Sequence, residues 1–355
     1  MSRMKVAIIG CGTIATSAHL PAYEAASDIA QVKYFVDIIP ERAEKLRDKY
    51  GEGIVLTDYH DLLDDPEVFA VSVCTPNYVH APISIDCLKA GKHVLCEKPA
   101  SVDSQLAASM QKAAVESGKI LNIGVVNRFN TAVCKLAEII ASGELGDLYH
   151  VYCSFRAHRS IPGLGGPFTT KAKAGGGVLI DWGVHYLDLI LYCLSEPKVR
   201  TVSAATYSKL GTNMKDYAFV SMWAGPPDYS GTYDVEEFVT GLVRTEGPTI
   251  NLNGAWAQNI GVAEGFIDFM GDKGGARPQY GGDFIVYGAK DGMLTETKYA
   301  FPKENMFNAE IRDFLLKAQQ GIKTKANIDH ALLTSQLMDH IYRSAELGRE
   351  VEVNA

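Results

Sequence analysis

The chain opens on a short apolar run, Val6-Ala7-Ile8-Ile9, closed by Gly10-Cys11-Gly12. A run that short, bounded by glycine, predicts a strand buried on both faces. Further apolar runs follow at Gln31 to Val36, Ile54 to Leu56, Phe69 to Cys74, His93 to Cys96 and Ile120 to Val126. Between them the spacing changes to that of helices. A helix is predicted after Gly12, and another from Ala43, Leu46 and Tyr50, ending at Gly51. Val79, Ile83 and Leu88 predict a helix ending at Gly91, and Leu106, Met110 and Ala114 one ending at Gly118. Short strands alternating with helices imply βαβ units and a parallel sheet covered on both faces.

The pattern changes after about residue 126. A helix is predicted over Ala132 to Ser142, then an alternating strand over Tyr149 to His158. A Gly/Pro-rich loop runs from Ile161 to Gly177, and a long helix from Leu179 to Ser195. Val199 to Tyr207, Asp216 to Trp223, Phe238 to Thr245, Ile250 to Ala257 and Phe284 to Gly288 are predicted strands separated by turns. Amphipathic helices over Met306 to Gln320 and Asp329 to Leu347 close the chain. The expected architecture is therefore α/β. An N-terminal Rossmann dinucleotide-binding domain (1–125) is followed by an α+β domain (126–355) with a large, mostly antiparallel open sheet. At roughly 150 residues per domain, the 355 residues fit two domains.

Composition narrows the functional classes. Lys and Arg number 34 against 42 Asp and Glu, a net charge of −8 that argues against nucleic acid as partner. No apolar run reaches the ~18 residues of a membrane span, so no membrane role is expected. The opening MSRMKVAIIG lacks the features of a signal peptide. Seven cysteines, without a CxxC pair and mostly within apolar runs, read as reduced thiols in a cytoplasmic protein.

The chemistry begins at Gly10-Cys11-Gly12-Thr13-Ile14-Ala15, which fits G-x-G-x-x-G/A after a strand and before a helix. Such glycines let the backbone approach a pyrophosphate, and the helix N-terminus offers it free N–H groups. Asp37 closes the second strand, 25 residues after Gly12. A carboxylate there accepts from the adenine ribose hydroxyls and repels a 2′-phosphate. Ile38 and Ile39 follow it, so NAD is favoured over NADP, although Arg42 one turn on keeps NADP open.

Two further motifs carry a resemblance. Cys96-Glu97-Lys98-Pro99 follows the fifth strand, and Asp181-Trp182-Gly183-Val184-His185-Tyr186-Leu187-Asp188 opens the long helix. With the glycine loop, and in this order, they resemble the glucose–fructose oxidoreductase/inositol dehydrogenase (Gfo/Idh/MocA) family over essentially the whole chain. The resemblance implies a Rossmann domain followed by a sheet domain that supplies the substrate pocket and the oligomer face. It implies that Lys98 and His185 are catalytic and that Asp181 accompanies them. Thr75-Pro76-Asn77 and His80 resemble the loop beside the cofactor, and Arg128 the residue near the nicotinamide end. The implied cofactor contacts are thus Gly10, Gly12, Thr13, Ile14, Asp37 and Arg42, then Thr75, Pro76, Asn77, His80, Glu97, Lys98 and Arg128. A cis Lys98–Pro99 bond is also implied.

The residues support the same chemistry on their own terms. Oxidising a secondary alcohol needs a base with a pKa near neutrality, the natural task of a histidine. The alkoxide-like transition state calls for a nearby positive charge, which Lys98 supplies. At about 100° per residue, His185 lies about 40° from Asp181 and Asp188 about 20° to its other side, giving one polar face. Val184, Leu187, Leu191 and Leu194 then form the opposite, apolar face. Gly175-Gly176-Gly177 before this helix permits close backbone approach or simply a flexible turn. A cation held by Asp181, His185 and Asp188 is a competing reading, but no second cluster completes it and no metal is expected.

Arg156, His158 and Arg159 end a strand and precede the Gly/Pro loop, so they are candidates for substrate hydroxyls or equally for a subunit interface, with Arg156 placed among the substrate contacts beside Lys98, Asp181 and His185. Trp182 and Trp256 are sugar platforms or core, and Tyr280 sits in a loop within reach of the pocket. Asp234, Glu236 and Glu237 read as a solvated or interface feature. The leading function is an NAD-dependent oxidation of a secondary hydroxyl on a sugar, glycoside or polyol such as an inositol. A redox-neutral enzyme with tightly held NAD, for example one oxidising C3 of a glycoside, is a second reading. A dinucleotide- or sugar-sensing regulator is a third. Phe238 to Thr245 and Ile250 to Trp256 read as apolar on both sides, which predicts a homodimer or homotetramer through the second sheet. Coverage by long loops such as 225–230 and 271–282 is the competing explanation.

Overall fold

The computed structural model describes residues 3–280 and 282–353. The early apolar runs form β1 (Met4–Ile9), β2 (Ala30–Val36), β3 (Ile54–Leu56), β4 (Val68–Val73), β5 (His93–Cys96) and β6 (Leu121–Ile123). They pair in parallel, in the order β3-β2-β1-β4-β5-β6. Alternate residues of each strand feed two apolar layers. Ala7, Ile9, Val71, Val73 and Val94 pack with helices His80–Lys89 and Ser104–Ser117. Val6, Ile8, Phe35, Ala70 and Leu95 pack with the helix Leu20–Ala25 and with Ile311, Phe314 and Leu315 of the helix Met306–Gln320. Each of those three late side chains is fully buried, worth about 1.5–3 kcal/mol apiece.

That packing explains how the chain divides. One unit comprises Met1–Phe129 with Asn305–Leu333, the other Asn130–Glu304 with Thr334–Ala355. The sequence reading places everything after 125 in the second domain. The structure groups 305–333 with the first unit, because the helix Met306–Gln320 completes its second apolar layer.

The second unit holds β7 (Leu148–Arg156), β8 (Val199–Tyr207), β9 (Phe238–Thr245), β10 (Thr249–Ala255), β11 (Glu264–Gly271), β12 (Gly274–Pro278), β13 (Phe284–Lys290), β14 (Met293–Tyr299) and β15 (Val351–Glu352). Their order is β14-β13-β12-β11-β7-β10-β9-β8-β15. Among the described strands of this sheet only β7 and β10 pair in parallel. Val151, Cys153, Phe155, Val239, Val243, Ile250 and Leu252 point into the core, against helices Thr131–Ala141 and Val184–Cys193.

Several expectations change here. Asp216 to Trp223 is not a strand: Asp216 closes a 3-10 turn, and apart from a bridge between Ser160 and Ser221 the rest is irregular. Val220 and Trp223, 75% and 59% exposed, have no sheet face to bury. The expected loop 271–282 contains β12, and Gly281 lies outside the described residues. β10 is not apolar on both sides. Its outward positions are Thr249, Asn251 and Asn253, and Asn253 accepts from Thr240 Oγ1 at 2.8 Å. Among the described residues no helix is long and apolar enough to cross a membrane.

Candidate functional site

In the first unit the spatial order reverses between β1 and β4, and ligands of such sheets bind beyond the strand ends at that reversal. The glycine loop leaves β1 there. Gly10 has φ +88°, and a Cβ on it would lie 2.6 Å from the Cys74 carbonyl oxygen at the end of β4. At Gly12 a Cβ would meet nothing within 4 Å. The first glycine is thus demanded by the protein's own packing. The second leaves open the surface that a pyrophosphate would occupy.

Asp37 is buried at the end of β2. Cys11 N–H donates to its Oδ2 at 2.8 Å and Ile39 N–H to its Oδ1 at 2.9 Å, fixing the carboxylate against the loop. Burial and the Asp37 charge push the Cys11 thiol up to about 12, so this cysteine is no nucleophile. Ile38 stands 87% exposed beside Asp37, and Arg42 is also exposed. Residues 15–19 form a π-helical turn before the helix Leu20–Ala25, whose second residue, Pro21, has no N–H to give Ser17.

Beyond β4, Pro76 is exposed, and Thr75 Oγ1 is buried with no hydrogen-bond partner among the described residues. His80 ties this loop to the next one. Its Nε2 lies 2.7 Å from Thr75 O and its Nδ1 2.8 Å from Pro99 O, while burial pulls its pKa below the usual histidine value. The Lys98–Pro99 bond is cis. Lys98 is half-buried, and its N–H donates to Glu97 Oε2 at 3.2 Å. Glu97 Oε1 lies 2.8 Å from His19 Nε2, and His19 Nδ1 lies 3.1 Å from Ser72 Oγ, which Tyr23 OH reaches at 2.7 Å. Burial would raise the Glu97 carboxyl, but the His19 bond and the charges of His19 and Lys98 hold it below the usual range. Glu97 therefore anchors its own turn from below.

Arg128 is 1% exposed and Nη1 donates to Lys325 O at 3.0 Å, tying the 126–129 turn to the returning segment. Glu310, on the helix Met306–Gln320, is fully buried and neither oxygen has a hydrogen-bond partner among the described residues. Burial, then the Glu97 charge, push its carboxyl well above the usual carboxylate range. Sequence reasoning missed His19 and Glu310. For His19 the available signal was a polar residue between Ala18 and Leu20, whereas Glu310, among Asn308, Arg312 and Asp313, offered none.

In the second unit, Asp181 lies in a π-helical turn, Leu179–Gly183, that leads into Val184–Cys193. The helix after the glycine loop and the helix bearing His185 are thus both preceded by a π turn, a frequent mark of functional sites. The helix is not amphipathic as expected: its residues are buried except half-buried His185 and Tyr192. Asp188 is buried and accepts from Thr334 Oγ1 at 3.4 Å. Among the described residues no group of three or more His, Cys, Asp or Glu is arranged to hold a metal.

His185 faces an aromatic ladder. Tyr280 stands edge-on to it at 6.0 Å and stacks on Tyr186 at 4.6 Å, which stacks on Phe155 at 4.7 Å. Arg156 is not brought to this place. It projects from the opposite face of β7, where Nε donates to Ser154 Oγ at 3.1 Å and to Glu264 Oε1 at 2.9 Å. Trp256 is fully buried and belongs to the core, and Trp182 packs against it.

Glu236 and Glu237 are buried, not solvated. Glu237 accepts from Leu210 N–H at 2.9 Å, Gly211 N–H at 3.3 Å and Tyr233 OH at 3.1 Å. Glu236 accepts from Gly177 N–H and Leu179 N–H, both at 3.0 Å, and from Tyr342 OH at 2.9 Å.

Comparison with known proteins agrees with this construction. Residues 4–125 match the Gfo/Idh/MocA oxidoreductase family with an NAD-binding Rossmann fold, and residues 133–277 match the family's C-terminal domain. A D-glucoside 3-dehydrogenase of Escherichia coli K12 is 31% identical over 99% of this chain and 98% of its own length. A myo-inositol 2-dehydrogenase of Thermotoga maritima is 29% identical over 54% of this chain and 55% of its own. Among solved structures, levoglucosan dehydrogenase with NADH and levoglucosan shares the fold over all of both chains, with a TM-score of 0.87 at 18% identity. Motif order, parallel sheet and whole-length similarity converge: the chain belongs to the Gfo/Idh/MocA family of oxidoreductases, with an NAD-binding Rossmann domain.

Proposed function

We propose that the protein is an NAD-dependent dehydrogenase acting on a secondary hydroxyl of a sugar, glycoside or polyol, with C3 of a glucoside placed first. The Asp181–His185 turn carries this reading: a half-buried imidazole beside the Tyr280 ring can take a hydroxyl proton next to a surface suited to a sugar's apolar face. The choice of C3 rests on similarity to the glucoside 3-dehydrogenase.

The residues of the first unit fit a dinucleotide. Gly12 leaves open space, Asp37 presents a fixed carboxylate, and Thr75 Oγ1 is a buried polar group lacking a protein partner. Gly10, Gly12, Thr13 and Ile14 would hold the pyrophosphate and Asp37 the adenine ribose. Thr75, Pro76, Asn77 and Lys98 would lie along the nicotinamide half. His80, Glu97 and Arg128 would shape those loops from behind. Exposed Ile38 offers a 2′-phosphate nothing to bind, which favours NAD over NADP. Bound nicotinamide supplies the hydride acceptor. His185 takes the hydroxyl proton, Asp181 orients it or binds the sugar, and Lys98 stabilises the developing alkoxide.

The test is NADH or NADPH formation from D-glucose, methyl β-D-glucoside and myo-inositol, with each cofactor in turn. Turnover with NAD on at least one of them is expected. No turnover on any, or faster turnover with NADP, overturns the reading. We also place the enzyme in the cytoplasm, consistent with its seven free thiols and checked by its recovery in the soluble cell fraction. The half-buried Tyr152, Leu242 and Phe266 on the open face of the second sheet support a homodimer or homotetramer. Light scattering at micromolar concentration should give a mass of two or four chains, and a one-chain mass would refute it.

A further inference from the structure

Three consecutive amides open the turn that carries Asp181, and all three end on one residue. Gly177 N–H donates to Glu236 Oε2 at 3.0 Å, Val178 N–H to Glu236 O at 3.1 Å and Leu179 N–H to Glu236 Oε1 at 3.0 Å. The first N–H groups of a helix have no partner within it, and an anion there also meets the favourable end of the helix dipole. Tyr342 OH, from the helix Ile328–Leu347, donates to Oε1 at 2.9 Å and holds the carboxylate in place. The glycines before the helix fit this clamp. A Cβ on Gly176 would lie 2.0 Å from Tyr342 OH, and one on Gly177 would lie 1.9 Å from Glu236 O. The close approach they allow is to Tyr342 and Glu236.

A buried carboxylate is a costly way to cap a helix where serine or asparagine would serve. What it provides here is rigidity: one side chain grips two amides and a phenol, immediately before Asp181 and one further turn before His185. We propose that Glu236, locked by Tyr342, is a positioning residue that fixes the Asp181–His185 turn for proton transfer. This rests on the role given to His185 above. Small displacements of a catalytic group cost up to about 100-fold in rate.

The test compares Glu236→Ala, Glu236→Gln and Tyr342→Phe with His185→Ala, using NADH formation from methyl β-D-glucoside, D-glucose and myo-inositol. Hydrogen exchange of amides 177–185 is measured in parallel. Glu236→Ala should lower kcat about 10- to 100-fold, with KM and NAD affinity within about threefold, and should speed exchange over 177–185. Glu236→Gln keeps one acceptor oxygen but sets an NH2 against the other amide, so it should fall between Glu236→Ala and the parent in both. Glu237→Gln, which loses a cap on the separate 209–211 loop, should lower thermal stability and leave kcat and exchange over 177–185 unchanged. Where Glu236→Ala does not fold, Tyr342→Phe decides, with a smaller change of the same kind. Unchanged exchange over 177–185 in the folded Glu236→Ala or Tyr342→Phe protein overturns the proposal, even if no substrate turns over. Full activity in His185→Ala would instead sink the role of His185, and the exchange data would still judge the clamp.

Discussion

Replacing His185 by Ala, or Lys98 by Met, should lower kcat by about 10²–10⁴. Each change removes one element of charge handling in the alcohol oxidation: the base that accepts the hydroxyl proton, or the cation that stabilises the oxygen left behind. NAD affinity should stay within about threefold, because neither group is assigned to the adenine half or the pyrophosphate, which supply most binding contacts. Asp181→Asn should fall between these variants and the parent. The measurement is steady-state kinetics with the best substrate of the panel, alongside calorimetric titration of NAD. Full activity without His185 would end the mechanism. Loss of NAD binding in Lys98→Met would make holding the nicotinamide half, and not charge stabilisation at the alkoxide, its main task.

Local pattern carried much of the first unit. Glycine-bounded apolar runs such as Val6 to Ile9 and His93 to Cys96 are buried on both faces, which is what a parallel strand requires. The same logic failed in the second unit where strands lack a pattern. β14 is exposed along nearly all its length, and β12 is built on Gly274-Gly275-Ala276 and ends at Pro278, so neither shows an alternation that could be read. Asp216 to Trp223 erred the other way: Phe219, Val220 and Trp223 face solvent on a loop, while Tyr217 is buried from it.

The site divides similarly. Gly12, Asp37, Lys98 and His185 could be singled out as candidates because each stands in a short motif. Their supports were missed, because His19 meets Glu97 across 78 positions and Tyr342 meets Glu236 across 106. The π turn at Leu179–Gly183 changes the angle between Asp181 and His185 from the one a regular helix predicts, and no periodicity in the sequence announces it. Arg156 was assigned by proximity in sequence to the Gly/Pro loop, whereas period-2 alternation along β7 sends it to the face opposite Phe155.

Gly10→Ala and Gly12→Ala should separate the structural from the ligand-binding function of one motif. At Gly10 the added methyl would sit 2.6 Å from a backbone oxygen of Cys74, at a φ of +88° that L-residues rarely adopt. Backbone must move, pulling β1 from β4 where Cys74 N–H bonds Ile9 O at 2.7 Å. A loss of about 3–5 kcal/mol is expected, visible in the cofactor-free protein as a Tm lower by roughly 5–10 °C. At Gly12 the methyl meets nothing within 4 Å, so the cofactor-free protein should melt within about 2 °C of the parent. The methyl would instead fill space assigned to the pyrophosphate, weakening NAD by about 10- to 100-fold, or roughly 1.4–2.8 kcal/mol. Thermal melts with and without NAD test both variants together. If Gly12→Ala bound NAD like the parent, the pyrophosphate would not lie against this loop. If Gly10→Ala melted like the parent, the 2.6 Å approach would not be a constraint on the fold.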